Sequence, residues 1–305
     1  MTSIHIRRLS AVGLFAPAAF LMAACSSAAP DDTASSAGPS AEQTSITESF
    51  EELESRYDAR LGVHAVDTGT GEEVTWREDE RFAYASTIKA LAAGAVLDEV
   101  GVAGLETEVL VEEEDIVPHS PVTENHIGQT LTLREIAEAA VTVSDNAAAN
   151  YLFDELGGPD ELDAALEDLG DDVTEVVRRE PELNEATPGD DRDTTTARAI
   201  TGSLREYLFG TVLDDEEKSQ LGEWLIDSET GATLIRANLP SDWTIGDRSG
   251  AGGYGTRGNI AAIWPTSGDP IVISVLSSRD EPDAEHDDQL IAEAAELAIS
   301  QLHQE

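Results

Sequence analysis

Cysteine is almost missing from this sequence of 305 residues, with Cys25 the only one. The rest of the chain therefore has no internal disulfide and no thiolate for a metal or for nucleophilic catalysis. Lysine is nearly absent too: Lys89 and Lys218 are the only examples, so arginine carries almost all the positive charge. Large rings are few. Aromatics make up 5% of the chain against 40% hydrophobic residues, which predicts a globular core built from Ala, Val, Leu and Ile. Positive charge itself is scarce, because 18 basic residues face 62 acidic ones for a formal net charge of -44. That balance argues against nucleic acid and against an anionic membrane surface as partners. An acidic shell of this size repels itself at low salt and is relieved by screening, as expected of a protein adapted to high salt. The six histidines, His5, His64, His119, His126, His286 and His303, show no close metal-ligand spacing, so neither a metal nor another cofactor is expected. There is no glycine-flanked nucleophile elbow, no internal repeat and no second long apolar run.

What is present begins with a leader. Arg7 and Arg8 precede a largely apolar stretch over residues 9–24, and Leu21-Met22-Ala23-Ala24 runs directly into Cys25. A charged segment, a short apolar segment and small residues before a cut site predict an export signal over residues 1–24. A pair of small residues before a lone cysteine resembles a bacterial lipoprotein signal, in which Cys25 becomes the lipidated first residue. An ordinary secretory signal fits the same residues, and Arg7-Arg8 also fits a twin-arginine route. Residues 25–45, rich in Ser, Ala, Pro, Asp and Thr, are expected to form a flexible tether.

Residues 46–305 are long enough for one large domain. Phe50, Leu53 and Tyr57 at helical spacing predict a helix over residues 49–61. Residues 62–66 and 73–76, separated by the turn-rich Asp67-Thr68-Gly69-Thr70-Gly71, predict a β-hairpin. Near the other end, residues 243–246, 258–264 and 271–277 have strand character, and residues 284–302 helical character. Between them Thr132-x-x-Glu135 is a capping box opening a helix to Val143, and Gly157-Gly158-Pro159 closes one helix and opens another. Strands at both ends with helices between them predict one mixed sheet with a helical insertion, over residues 46–85 and 225–305 for the sheet part and 86–224 for the helical part. A cleft is expected at their junction.

Three short motifs carry chemistry. Ser86-Thr87-Ile88-Lys89 opens an apolar helix over residues 88–100, ended by Gly101, and a spacing of three puts Ser86 and Lys89 on one face. The free N–H groups and dipole of a helix start favour negative charge developing at Ser86. Serine three residues before lysine also fits a cap and a surface charge. In a chain that otherwise uses arginine, however, a retained lysine points to a role that needs a proton able to leave. Ser144-Asp145-Asn146 lies between two predicted helices, where Asp145 or Ser144 also fits a helix cap. Asp247-Arg248-Ser249-Gly250-Ala251-Gly252 closes one strand and Arg257 begins the next. Two arginines beside glycines permit close approach of a carboxylate, although a turn with surface ion pairs fits them too.

Together, Ser86-x-x-Lys89, Ser144-Asp145-Asn146 and Arg248-Ser249-Gly250 resemble the three-element signature of class A serine β-lactamases and penicillin-binding proteins. Arg178-Arg179-Glu180-Pro181-Glu182-Leu183-Asn184 resembles the class A deacylation loop, which penicillin-binding proteins lack. The resemblance runs from about Ser49 to the C-terminus. It implies a two-part α/β (mixed α+β) domain: a five-stranded antiparallel sheet flanked by N- and C-terminal helices, with an all-helical insertion.

The resemblance also implies roles. Ser86 would open the lactam ring, with the N–H groups of Ser86 and Ala251 holding the oxyanion. Lys89, or Glu180 through a water, would take the serine proton, and Ser144 would protonate the lactam nitrogen. Asn146 would orient Lys89 and the substrate amide, and Glu180 with Asn184 would activate the deacylating water. Arg248, Ser249, Gly250 and Arg257 would bind the substrate carboxylate, while Arg178 and Asp193 would pair across the base of the loop. Two positions depart from the usual pattern. Arg248 stands where lysine is usual, as in some carbenicillin-hydrolysing members, and His119 stands where many members carry a tyrosine at the cleft mouth. Ala85 and Gly252 exclude the disulfide of some carbapenem-hydrolysing members, so penicillins are the expected substrates. The expected protein is an exported monomer that meets the membrane only through a lipid on Cys25. A D-alanyl-D-alanine peptidase, a penicillin sensor and a binding module remain as alternatives.

Overall fold

The computed structural model describes residues 41–303, so the expected export signal, Cys25 and most of the tether lie outside the described residues. In chain order the elements are α1 (Ala41–Tyr57), β1 (Arg60–Asp67), β2 (Glu73–Trp76), β3 (Arg81–Ala83), α2 (Ile88–Gly104), β4 (Glu108–Leu110) and β5 (Thr130–Thr132). There follow α3 (Leu133–Thr142), α4 (Asn146–Leu156), α5 (Pro159–Asp168), β6 (Thr194–Thr196), α6 (Ala197–Phe209) and α7 (Asp215–Ile226). The chain closes with β7 (Thr244–Ala251), β8 (Arg257–Trp264), β9 (Ile271–Ser278) and α8 (Asp288–Leu302). Among the described residues no helix is long and apolar enough to cross a membrane.

Five strands form one sheet in the order β2-β1-β9-β8-β7, every neighbouring pair antiparallel. The mixed sheet expected from the pattern of elements is thus purely antiparallel, since the chain ends meet edge to edge without a parallel crossover. The central strands read as nearly continuous apolar runs because both faces are covered. Leu61, Val63 and Ala65 of β1, Ala261 and Ile263 of β8 and Ile271, Ile273 and Val275 of β9 share one core with Phe50 of α1 and Leu290, Ile291 and Ala295 of α8. Residues of opposite parity, Val66, Ile260, Ala262, Val272 and Leu276, face the helical part. This is the alternation that a strand's two-residue period imposes.

Two boundaries differ from expectation. The first helix begins at Ala41, inside the expected tether, and ends at Tyr57, with Leu61 belonging to β1. Leu61 has an apolar partner in the sheet core, and that tertiary contact overrides the helical spacing. The last helix begins at Asp288, capped by Asp287, after an irregular Asp- and Pro-rich approach. The insertion, expected to be all-helical, also carries the short ladder of β4 with β5, and its strand β6 pairs with β3, which lies just before it in the chain.

Local rules position the site. α2 is buried on all sides through its first three turns, and Gly101 breaks it with φ of +66°. Thr132 and Glu135 form the capping box that starts α3. Asp145 caps α4 by accepting from the Ala148 N–H at 2.8 Å, Gly157 in the left-handed region ends α4, and Pro159 opens α5. The α2 start, the α3–α4 link, the loop before β6 and the end of β7 thereby converge.

Candidate active site

Ser86 sits in a tight turn, Ala85–Thr87, that feeds directly into α2. The Thr87 hydroxyl donates to the Tyr84 carbonyl at 2.6 Å and holds the turn closed. β7 crosses very near it: a Cβ at Gly250 would lie 2.8 Å from the Tyr84 oxygen and 3.0 Å from the Ser86 nitrogen. Only glycine fits there. A cleft of about 380 Å³ opens at this crossing, lined among others by Ser86, Ser144, Asn146, Asn184, Ser249 and Arg257. His119, with φ of +63°, lines its mouth.

Lys89 lies one turn after Ser86 with its side chain 1% exposed. Its Nζ is 2.9 Å from Glu180 Oε1 and donates to the Ser144 carbonyl at 3.0 Å, to Ser144 Oγ at 3.3 Å and to Asn146 Oδ1. Burial is the largest influence on its acidity and lowers its pKa to about 8, the nearby Glu180 carboxylate opposing and Arg248 reinforcing the drop. Among the described residues, this lysine is therefore a cation that can release its proton near neutral pH.

Glu180 reaches the same point from the loop over residues 171–193. Its Oε1 accepts from Ser86 Oγ at 3.3 Å and its Oε2 from Asn184 Nδ2. Its backbone is gripped at both ends by Asn150, whose Oδ1 accepts from the Glu180 N–H at 3.0 Å and whose Nδ2 donates to its carbonyl at 2.9 Å. The base of the loop is tied by Arg178, which donates through Nε to Asp193. The other Asp193 oxygen accepts from the Val177 and Arg178 N–H groups and from the Tyr84 hydroxyl.

Ser144 takes a left-handed φ of +65° that turns its hydroxyl between Lys89 and Arg248. Arg248 is fully buried; burial lowers its pKa to about 10, against the pull of the Asp247 and Glu180 carboxylates. Ser249 donates to Thr230 Oγ1 at 2.9 Å. Arg257 lines the cleft, but its Nε donates to Asp288 at 2.7 Å, so its charge is partly compensated within the protein. Asp145, singled out with its neighbours, accepts from Val122, Thr123 and Ala148 in the interior and acts as a cap.

Three residues at the site escaped sequence reasoning. Asn150 lies one helical turn after Asn146 and so shares its face, a signal that was available. Thr230 and Asp288 arrive from elements distant in sequence, and nothing local marks them.

A serine hydroxyl beside a buried carboxylate and a buried, readily deprotonated amine, under a strand edge lined by arginine, is equipped for acyl transfer to serine and onward to water. The chain matches the model of the Beta-lactamase enzyme family over residues 45–302. It is 48% identical over 274 residues to a beta-lactamase of Amycolatopsis lactamdurans, covering 90% of this chain and 89% of that one. It is 49% identical over 250 residues to Beta-lactamase 1 of Bacillus cereus, covering 82% and 81%. Among solved structures, a class A beta-lactamase from Clostridium kluyveri superposes with a TM-score of 0.84 at 43% identity, covering 86% of this chain and 100% of that one. A halotolerant bacterial beta-lactamase superposes with a TM-score of 0.82 at 50% identity, covering 84% and 99%. The chain belongs to the beta-lactamase enzyme family and is a class A β-lactamase, an enzyme that hydrolyses β-lactams and so gives antibiotic resistance.

Proposed function

We propose that hydrolysis runs through an acyl-enzyme on Ser86, with penicillins as the preferred substrates. The observation that carries this reading is the single carboxylate oxygen of Glu180 shared by Ser86 Oγ at 3.3 Å and Lys89 Nζ at 2.9 Å. Ser86 Oγ attacks the lactam carbonyl and gives up its proton to Glu180 through a water, or to Lys89. The N–H groups of Ser86 and Ala251 stabilise the oxyanion. As the C–N bond breaks, Ser144 protonates the nitrogen and is reprotonated from Lys89, since Arg248 cannot release a proton at working pH. Asn146 keeps Lys89 aimed at Ser144. Glu180, with Asn184, then takes a proton from the water that attacks the ester, and the Ser86 oxygen leaves with a proton. Arg248, Ser249 and Arg257 bind the substrate carboxylate. Its preference for penicillins rests on Arg248 and on the absence of a cysteine at Ala85 and Gly252. We place the enzyme outside the cytoplasm as a monomer, exported by residues 1–24 and tethered by a lipid on Cys25.

A chromogenic cephalosporin tests the reading directly. Many turnovers per enzyme support it, one stoichiometric burst would indicate a penicillin sensor or peptidase, and no colour would leave a binding module. The pH profile tests the lysine. With Lys89 at about 8, kcat/KM should fall through that region as pH rises, because the ammonium that pairs with Glu180 and resupplies Ser144 is lost. A rise through the same region would instead make neutral Lys89 the acylation base.

The charge of -44 is read as adaptation to salt, in keeping with the likeness to a halotolerant enzyme. Raising salt from millimolar to molar should raise the melting temperature by several degrees, about what 1 to 2 kcal/mol yields in a domain of this size. A flat melting curve across that range would remove the adaptation reading.

A further inference from the structure

We propose that Thr230 is a positioning residue of the anion subsite, one hydroxyl that aims both Arg248 and Ser249 and that is needed because arginine occupies position 248. The inference rests on the reading that Arg248 and Ser249 bind the substrate carboxylate. Thr230 lies in the segment joining α7 to β7 and lines the cleft. Its Oγ1 accepts from Arg248 Nη1 at 2.9 Å and from Ser249 Oγ at 2.9 Å. Two acceptor lone pairs are thus filled, and the remaining hydroxyl proton faces Ser228 Oγ at 3.4 Å or the cleft.

The demand comes from the guanidinium. Arg248 is 0% exposed and presents five N–H donors in a fixed plane. Among the described residues its side-chain acceptors are only two hydroxyls, Thr230 through Nη1 and Ser144 through Nη2, and its Nε has none. The neighbouring carboxylate of Asp247 is occupied by Arg236 and Asn259. Removing the Thr230 oxygen would leave a further buried donor unmet and free the guanidinium plane to rotate. Ser249 would lose its anchor in the same step. A lysine at 248 has three donors on a rotatable bond and no plane to hold, so it depends much less on the same hydroxyl.

A double-mutant cycle with benzylpenicillin tests this. Thr230→Val, nearly the same shape without the hydroxyl, should raise KM about ten-fold with kcat within about two-fold, and Thr230→Ser should restore KM. In an Arg248→Lys background the same Thr230→Val change should raise KM by no more than about two-fold, a coupling that general loss of packing does not produce. Equal effects in both backgrounds, or an unchanged KM in the single variant, would overturn the role of Thr230. Arg248→Ala separates the two readings: if it leaves KM unchanged, the carboxylate assignment itself fails. If it raises KM while Thr230→Val does not, only the present inference fails.

Discussion

Ser86→Ala should lower hydrolysis of benzylpenicillin by roughly five to six orders of magnitude while leaving the melting temperature within a few degrees of the parent. The size of the loss follows from removing what is, among the described residues, the only hydroxyl that contacts the Glu180 carboxylate and stands one turn from Lys89 at the cleft. No neighbour can substitute. Ser144 and Ser249 also line the cleft, but neither contacts the Glu180 carboxylate: Ser144 Oγ accepts from Lys89 and Arg248, and Ser249 donates to Thr230. The small effect on stability follows from the contacts that remain. Glu180 keeps Lys89, Asn184 and both Asn150 bonds, so the change strands no buried charge. Steady-state kinetics and thermal melts on one purified sample check both halves. Residual turnover above a thousandth of the parent rate would move the nucleophile elsewhere.

Glu180→Asn should separate the two halves of the reaction. Asparagine keeps the size and one acceptor oxygen but cannot take a proton, so the ester is left with no base to activate its water. Benzylpenicillin turnover should fall by roughly three orders of magnitude, with one equivalent of ring opening still completed before the enzyme stalls. The buried setting sharpens the effect, because Glu180 is 2% exposed and the loop carrying it is fastened by Arg178, Asp193 and Asn150. Glu180 stands just behind the cleft wall, in contact with the lining residues Ser86 and Asn184, and no carboxylate is among the described residues that line the cleft itself. A variant that keeps parental turnover would show that Glu180 is not the deacylating base.

Much of this site was legible in the chain because its geometry is local. Three residues of separation at a helix start fix how Ser86 and Lys89 meet. The Thr132 and Glu135 capping box and the Gly157-Gly158-Pro159 junction were legible for the same reason, whereas Glu180 and Asn184, on an irregular loop, were paired only through the family resemblance. The scarcity of lysine marked Lys89, which the fold buries among Glu180, Ser144 and Asn146. Contacts set by tertiary closure were not legible. Thr230 meets Arg248 only because the segment after α7 folds back over β7, and Arg257 meets Asp288 only because α8 ends its approach beside β8. The first helix was placed too late and ran on too far, since spacing alone cannot tell that Leu61 is drawn into the sheet. The sequence left Arg257 open between a carboxylate contact and an ion pair. In space it lines the cleft and is also paired with Asp288.

The central claim, an acyl-enzyme on Ser86 resolved by Glu180, is tested most directly by intact-protein mass. Glu180→Asn mixed with benzylpenicillin should gain the mass of the whole drug in close to one equivalent, with the added mass on the peptide that contains Ser86. The same preparation carrying Ser86→Ala as well should gain nothing. An adduct that persists without Ser86, or a Glu180→Asn enzyme that turns over freely with no adduct at all, would contradict the account.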